Sequence, residues 1–130
     1  MEYSIRTKEE QEFIDISNIV KDEVEKTGVK DGIAIIFLPH TSAGITINEG
    51  ADPHVETDII RSLNKRFPVE DNYLHMEGNS HAHIKASIMG SSATVIIENG
   101  SLKLGRWQGI YYCEFDGPRN RKLFIKVMEG

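Results

Sequence analysis

The sequence predicts an α+β domain of mostly antiparallel strands, and three observations carry that prediction. Short apolar runs, alternating or continuous, recur along the whole chain, with stretches of four-residue apolar period interspersed among them. The segments between runs are brief and punctuated by Gly, Pro, Asn and Asp, which favours tight returns over long parallel crossovers. No linker, low-complexity tract or internal repeat divides the 130 residues, so they read as one domain, 1–130. A chain of that length buries roughly two-thirds of the surface it exposes when unfolded.

The elements follow in order. Glu2 to Lys8 alternates, with Tyr3 and Ile5 on one side, and Glu12 to Ile16 alternates again; both are expected strands. Ser17 suits a helix N-cap, since its hydroxyl can accept from an orphan N–H; Val20 and Val24 give the buried stripe, and Gly28 ends the helix after Thr27. Gly32 to Leu38 is a continuous Ile/Ala/Phe run, the pattern of a strand covered on both faces. Gly44 to Glu49 alternates as a strand. Asp52-Pro53 starts a second helix, with aspartate as cap and proline at the first helical position. Val55, Ile59, Leu63 and Phe67 line its face as far as Pro68. Ala82 to Met89 is expected as a short third helix, Ala93 to Ile97 as a strand, and Asn99-Gly100 as a hairpin turn. Trp107 to Phe115 and Lys122 to Met128 complete a count of about eight strands and three helices.

Composition narrows the function classes. The net charge is −5, and it is unevenly spread: residues 1–80 hold 8 basic and 16 acidic side chains, residues 81–130 hold 7 and 4. A nucleic-acid binder would be basic overall or carry a dense basic stripe, and this chain does neither. The basic end suits a small anionic group such as a phosphate. The single cysteine, Cys113, has no intrachain partner, which fits a reducing compartment. The N-terminal residues are charged throughout, and the longest apolar run, Ile33 to Leu38, is far too short to span a bilayer. The expectation is a cytoplasmic protein without membrane or nucleic-acid partners.

All five histidines fall between positions 40 and 83, at 40, 54, 75, 81 and 83. Imidazole offers a neutral lone pair at pH 7, and three such groups with one open position make a catalytic-type site for zinc or a similar ion. The spacing matches no local zinc motif, so the alternative of scattered structural and surface histidines stays open. His40 follows directly from the apolar run 32–38 and is held at a strand end. His75 lies near Glu77, a carboxylate able to fix its tautomer. On a helix, His81 and His83 point roughly 200° apart, so only one of them faces a site. His83 then shares its face with Ser87. His54, in the first turn of a helix, reads as a surface residue, and Asp52 as a cap. Glu49 ends an alternating strand where packing explains a carboxylate poorly, and is a candidate general base or ligand.

Gly100-Ser-Leu-Lys-Leu-Gly105-Arg-Trp-Gln-Gly109 places three glycines around the only tryptophan. The simplest reading is a bulged hairpin with Trp107 in the core; Gln108 is harder to assign there. Arg119 and Arg121 follow Gly117-Pro118, two apart. They are candidates for bidentate phosphate recognition, or for a solvated strand end, or for a salt bridge to Glu114. Lys85 adds a further positive charge.

Taken in order, His40-Thr-Ser-Ala-Gly-Ile-Thr-Ile-Asn-Glu49, Asp52-Pro53, Asp58, Glu77-Gly78, His83-Ile-Lys-Ala-Ser87, Gly90 and Gly105-Arg-Trp-Gln108 resemble the YjbQ-like family. The resemblance runs from about Tyr3 to the C-terminus. It implies a sandwich-like or pseudo-barrel α+β domain, a homotrimer, and His40, His75 and His83 as the site histidines. The activity attributed to the family is that of a secondary thiamine-phosphate synthase. This joins hydroxymethylpyrimidine diphosphate to thiazole phosphate and releases pyrophosphate. Many relatives have Gly-Thr-Trp-Gln where this chain has Arg106, which adds a charge at the turn.

Three functions are expected from these readings. The first is a metal-assisted transferase: His40, His75 and His83 hold the ion, Glu49 or Glu77 orients or accepts a proton, and Lys85, Gln108, Arg119 and Arg121 bind a phosphorylated substrate. Diphosphate departure is usually assisted by Mg²⁺, which prefers oxygen ligands, whereas a three-histidine site suits zinc, manganese, iron or nickel. The second is a metal-dependent hydrolase of a phosphorylated or amide small molecule. The third is a non-catalytic trimeric module that binds a ligand or metal.

Overall fold

Alternating apolar residues fold the chain into two antiparallel sheets. The computed structural model describes all residues, 1–130. The order is β1 (Glu2–Arg6), β2 (Glu12–Asp15), α1 (Ser17–Thr27), β3 (Gly32–Phe37), β4 (Ala43–Glu49), α2 (Pro53–Arg66), α3 (Ser80–Met89), β5 (Ser92–Glu98), β6 (Ser101–Leu102), β7 (Gln108–Glu114) and β8 (Asn120–Glu129). One sheet has five strands in the order β1-β8-β3-β5-β6, the other three in the order β2-β7-β4, and every pairing is antiparallel. The architecture is therefore the predicted single α+β domain, with two curled sheets as a half-barrel and three helices. No helix is long and apolar enough to cross a membrane.

The main core lies between the sheets. Ala34, Ile36, Val95, Ile97, Leu123 and Ile125 meet Ile45, Ile110 and Tyr112, and Val20 and Val24 of α1 close the cluster. Central strand β7 is buried on both faces: Tyr112 joins this core, while Cys113 joins Phe13, Phe115, Ala82 and Ala86 in a second cluster. Against that second cluster α2 leans through Ile59, Ile60 and Leu63, none of them fully buried. Burial of apolar area stabilises by about 25 cal/mol per Å², and the fully buried side chains lie between the sheets rather than on α2.

Three local expectations change. Ser17 does not cap α1: Ile16 holds the cap position, the Ser17 N–H donates to Asp15 Oδ1 (2.8 Å), and Ser17 Oγ accepts instead from the Ile110 N–H across to β7 (2.9 Å). A hydroxyl at a helix start serves whichever orphan N–H is nearer, and here that belongs to a neighbouring strand. The run 32–38 is not covered on both faces. Ala34 and Ile36 point into the core, while Ile33, Ile35 and Phe37 open onto the outer face of the five-stranded sheet. Third, α3 begins at Ser80, two residues before the expected start. The other caps are as expected. Asp52 accepts from the His54 N–H at 2.9 Å, Gly28 ends α1 at φ 71°, and Asn99 and Gly100 turn β5 into β6 with φ 53° and 79°.

One glycine positions the site. A Cβ on Gly44 would lie 2.7 Å from Met89 Cβ and 3.1 Å from the Gly90 carbonyl oxygen. Only a residue without a side chain lets α3 settle this close on β4.

Candidate functional site

Strand β3 ends at Phe37, and the chain turns through His40, Thr41 and Ser42 before entering β4. Buried charges hold this turn from beneath. Arg121, 2% exposed, donates from Nη2 to both Ser42 Oγ (2.9 Å) and Ser42 O (3.2 Å) and grips Glu114 with two guanidinium nitrogens. Glu114 also accepts from Thr7 Oγ1 (2.8 Å) and the Asp116 N–H (3.0 Å). Burial pushes the Glu114 carboxyl upward, but these hydrogen bonds and the Arg121 charge outweigh it and hold the carboxyl below the usual carboxylate range.

Across the turn stands α3. His83 Nδ1 lies 2.9 Å from the Thr41 carbonyl oxygen. A carbonyl only accepts, so Nδ1 carries the proton and Nε2 keeps its lone pair. His75 meets His83 edge to face, with ring centroids 5.3 Å apart. Two clefts share His83 and Thr41 as walls. One, of about 420 Å³, is lined also by His40, Ser87 and Ser91; the other, of about 470 Å³, by His75, Ser80 and Ile84.

His40 is differently placed. Its Nε2 accepts the Lys122 N–H at 2.9 Å, so the lone pair assigned to an ion is already used, and Nδ1 bears the proton. Burial, and then the Arg121 charge, lower its pKa below the ordinary histidine value. It is a neutral imidazole bracing the turn. No group of three His, Cys, Asp or Glu side chains within the chain is arranged to hold a metal. Of the three histidines expected to hold an ion, His75 and His83 are in ring contact, edge to face, while His40 is engaged by the Lys122 N–H.

The remaining candidates lie elsewhere. Glu49 and Gln108 face each other in register at the far end of the β4–β7 pair, six residues from Ala43 and so roughly 20 Å from the His83 end. The Glu49 carboxylate accepts the Ala51 N–H, and Gln108 Oε1 accepts the Gly105 N–H. Glu77 is exposed and lines neither cleft. Three of the basic residues expected to bind phosphate are engaged within the chain. Arg121 is committed to Glu114, and Arg119 pairs with Asp116 at 2.9 Å. Lys85, fully buried, gives its ammonium to Asn64 Oδ1, Gln11 Oε1 (3.4 Å) and His81 Nδ1 (3.0 Å). Trp107 is not a core residue; it is 56% exposed.

Two sequence expectations about the histidines agree with the structure. His54 is exposed in the first turn of α2, and His81 and His83 point to opposite sides of α3, His81 inward. Sequence reasoning missed the buried partnership of His81 with Lys85, although their i, i+4 spacing on an expected helix places them on one face.

The UPF0047 protein YjbQ-like family matches residues 1–130. UPF0047 protein YugU of Bacillus subtilis is 52% identical over 125 residues, covering 95% of each chain. A UPF0047 protein of Methanocaldococcus jannaschii is 50% identical over 126 residues, covering 97% of this chain and 91% of its own. A crystal structure of an uncharacterized YjbQ/UPF0047 protein from Clostridium acetobutylicum, 62% identical, superposes with a TM-score of 0.97 over 98% of this chain and 99% of that one. The match spans every element that frames the His83 clefts, and this chain belongs to the YjbQ-like UPF0047 family.

Proposed function

We propose that this protein is an enzyme acting on a small molecule at the His83 clefts. One observation carries the reading: a histidine whose Nδ1 proton is fixed by a backbone carbonyl presents a free Nε2 between two adjoining clefts. Such a nitrogen accepts a proton or binds an ion without first changing tautomer. Thr41, Ser87 and Ser91 supply hydroxyls for holding a polar substrate, and neutral His40 braces the wall behind them.

A divalent ion, zinc by donor type, would be held by His75 and His83, with its remaining positions filled from outside this chain. When bound it supplies Lewis acidity to a carbonyl or phosphoryl oxygen. Purified protein should then carry zinc that is lost in His75→Ala and His83→Ala and kept in His40→Ala. Elemental analysis reads this, and full metal content in His83→Ala would remove the assignment.

The thiamine-phosphate synthase-type condensation implied by the family resemblance is the transfer we propose to test first. Neither cleft is lined by lysine or arginine, so the ion, zinc or a substrate-borne magnesium, would have to balance a diphosphate. That lack of fixed positive charge favours one second reading, metal-dependent hydrolysis of a phosphorylated or amide small molecule. Pyrophosphate release that needs both thiamine precursors supports the transfer; product from a single substrate and water supports hydrolysis.

A homotrimer is part of the same proposal, and the outer face of the five-stranded sheet suits it. Phe37 pairs with Phe124, and Ile33 sits between Ile96 and Met128 in register, giving two exposed apolar patches separated by the Thr94–Ile35–Lys126 rung. Light scattering should return three times the 14.7 kDa chain mass, and Phe124→Glu with Ile96→Glu should return the single-chain mass. A wild-type mass of one chain would refute self-association.

A further inference from the structure

The far end of the β4–β7 pair holds a third cleft of about 290 Å³, lined among others by Asp15, Asn18, Lys21, Arg106, Trp107 and Gln108. Its aromatic wall is built in place. The Trp107 carbonyl accepts the Gly50 N–H at 2.7 Å, the Gln108 N–H reaches the Gly105 carbonyl at 3.1 Å, and Gln108 Oε1 accepts the Gly105 N–H at 2.7 Å. Three hydrogen bonds thus fix a turn that keeps a tryptophan more than half exposed. Arg106 lies over the indole, its guanidinium carbon 4.8 Å from the ring centroid, within cation–π range.

The cleft lining carries two cations, Lys21 and Arg106, against one carboxylate, Asp15, and so has a cation in excess. Neither Lys21 nor Arg106 takes part in any of the five ion pairs of the chain. The one carboxylate present, Asp15, is engaged through Oδ1 by the Ser17 N–H. Two free cations beside an exposed planar ring contrast with the His83 clefts, which offer imidazoles and hydroxyls but no cation.

We propose that this cleft is a separate binding site for a small planar ring bearing one anionic group. The ring stacks on Trp107 and the anion lies between Lys21 and Arg106. The volume suits one ring with one such group and is too small for a dinucleotide. A guanidinium fork and a flexible ammonium together satisfy an oxyanion, and base-on-indole stacking supplies the rest of the affinity. The site does not depend on the reading of His83, which lies at the other end of the sheet.

Trp107 is the only tryptophan, so its fluorescence reports occupancy directly. Adenosine monophosphate is the probe, with adenosine and inorganic phosphate as its separate halves, and calorimetry reads the same binding independently of the indole. The expected result is saturable quenching at millimolar probe or below, with each half binding roughly tenfold more weakly or worse. Arg106→Thr and Lys21→Ala should each weaken binding by roughly tenfold, while His83→Ala leaves it unchanged. No response to millimolar probe, or binding that both cation variants retain in full, would overturn the proposal.

Discussion

Replacing Arg121 with alanine is expected to destabilise the protein by about 3–5 kcal/mol, read from denaturant unfolding at neutral pH. The guanidinium is the only cation on Glu114, and Glu114 has no exposed surface. Removing one partner of a buried pair leaves the other charge desolvated and unmatched, which is far more costly than the pair itself is stabilising. Arg121→Met with Glu114→Gln should therefore recover most of the loss. The pH dependence gives an independent check. Glu114 titrates below its unfolded value of about 4.3. Its contribution is complete above that value and is lost as pH falls through the depressed one. In Arg121→Ala the guanidinium no longer opposes burial, and only the Thr7 and Asp116 hydrogen bonds still lower the carboxyl's pKa. The depression should shrink, so the variant should lose less stability than the wild type as pH falls into the acid range. Parallel pH profiles for the two proteins would refute this role of the pair. The Ser42 turn loses its anchor as well, so His40 and Thr41, both cleft walls, should loosen with it.

Strand periodicity made the fold legible because it is a local property. In β1, Tyr3 and Ile5 are the sheltered positions and alternate with exposed Glu2, Ser4 and Arg6, and that pattern stands in the sequence before any contact forms. What the local pattern does not encode is which face a partner covers. The run Ile33 to Leu38 is apolar on both sides, so it reads as buried on both, yet no element of this chain covers its outer half. Polar residues were harder for the same reason. Lys85, Arg119 and Arg121 look alike as free cations in a sequence. What separates them is whether Asn64, Asp116 or Glu114 lies opposite, and only Arg121 had its partner among the readings considered. His83 was legible through helix geometry, because His81 and His83 cannot face the same way. His40 was placed correctly at a strand end, but its hydrogen bond comes from Lys122, 82 residues away, and no spacing rule reveals that. Glu49 and Gln108 show the converse. They were grouped with the histidines by chemistry, and the length of one strand separates them.

Lys85→Ala is the second large effect expected, a loss of about 2–5 kcal/mol with no specific loss of ligand affinity at neutral pH. Lys85 is among the largest fully buried side chains, and its ammonium has three acceptors for its three protons: Asn64 from α2, Gln11 from the segment before β2, and His81 one turn back on α3. Truncation leaves a cavity and frees those acceptors together, in the place where α2, otherwise without a fully buried residue, is tied to α3. Lys85→Met keeps the volume and should lose less than half as much, since no cavity is left and Gln11 Nε2 still donates to Asn64. Burial lowers the Lys85 pKa. Between that depressed value and about 10.4 the unfolded chain binds more protons than the folded one, so wild-type stability rises with pH across that window. Both variants remove the titrating group, and their stability should lack that rise. A rise retained in Lys85→Met would mean that another group produces it, and that burial does not depress the Lys85 ammonium as the fold of α3 against α2 requires.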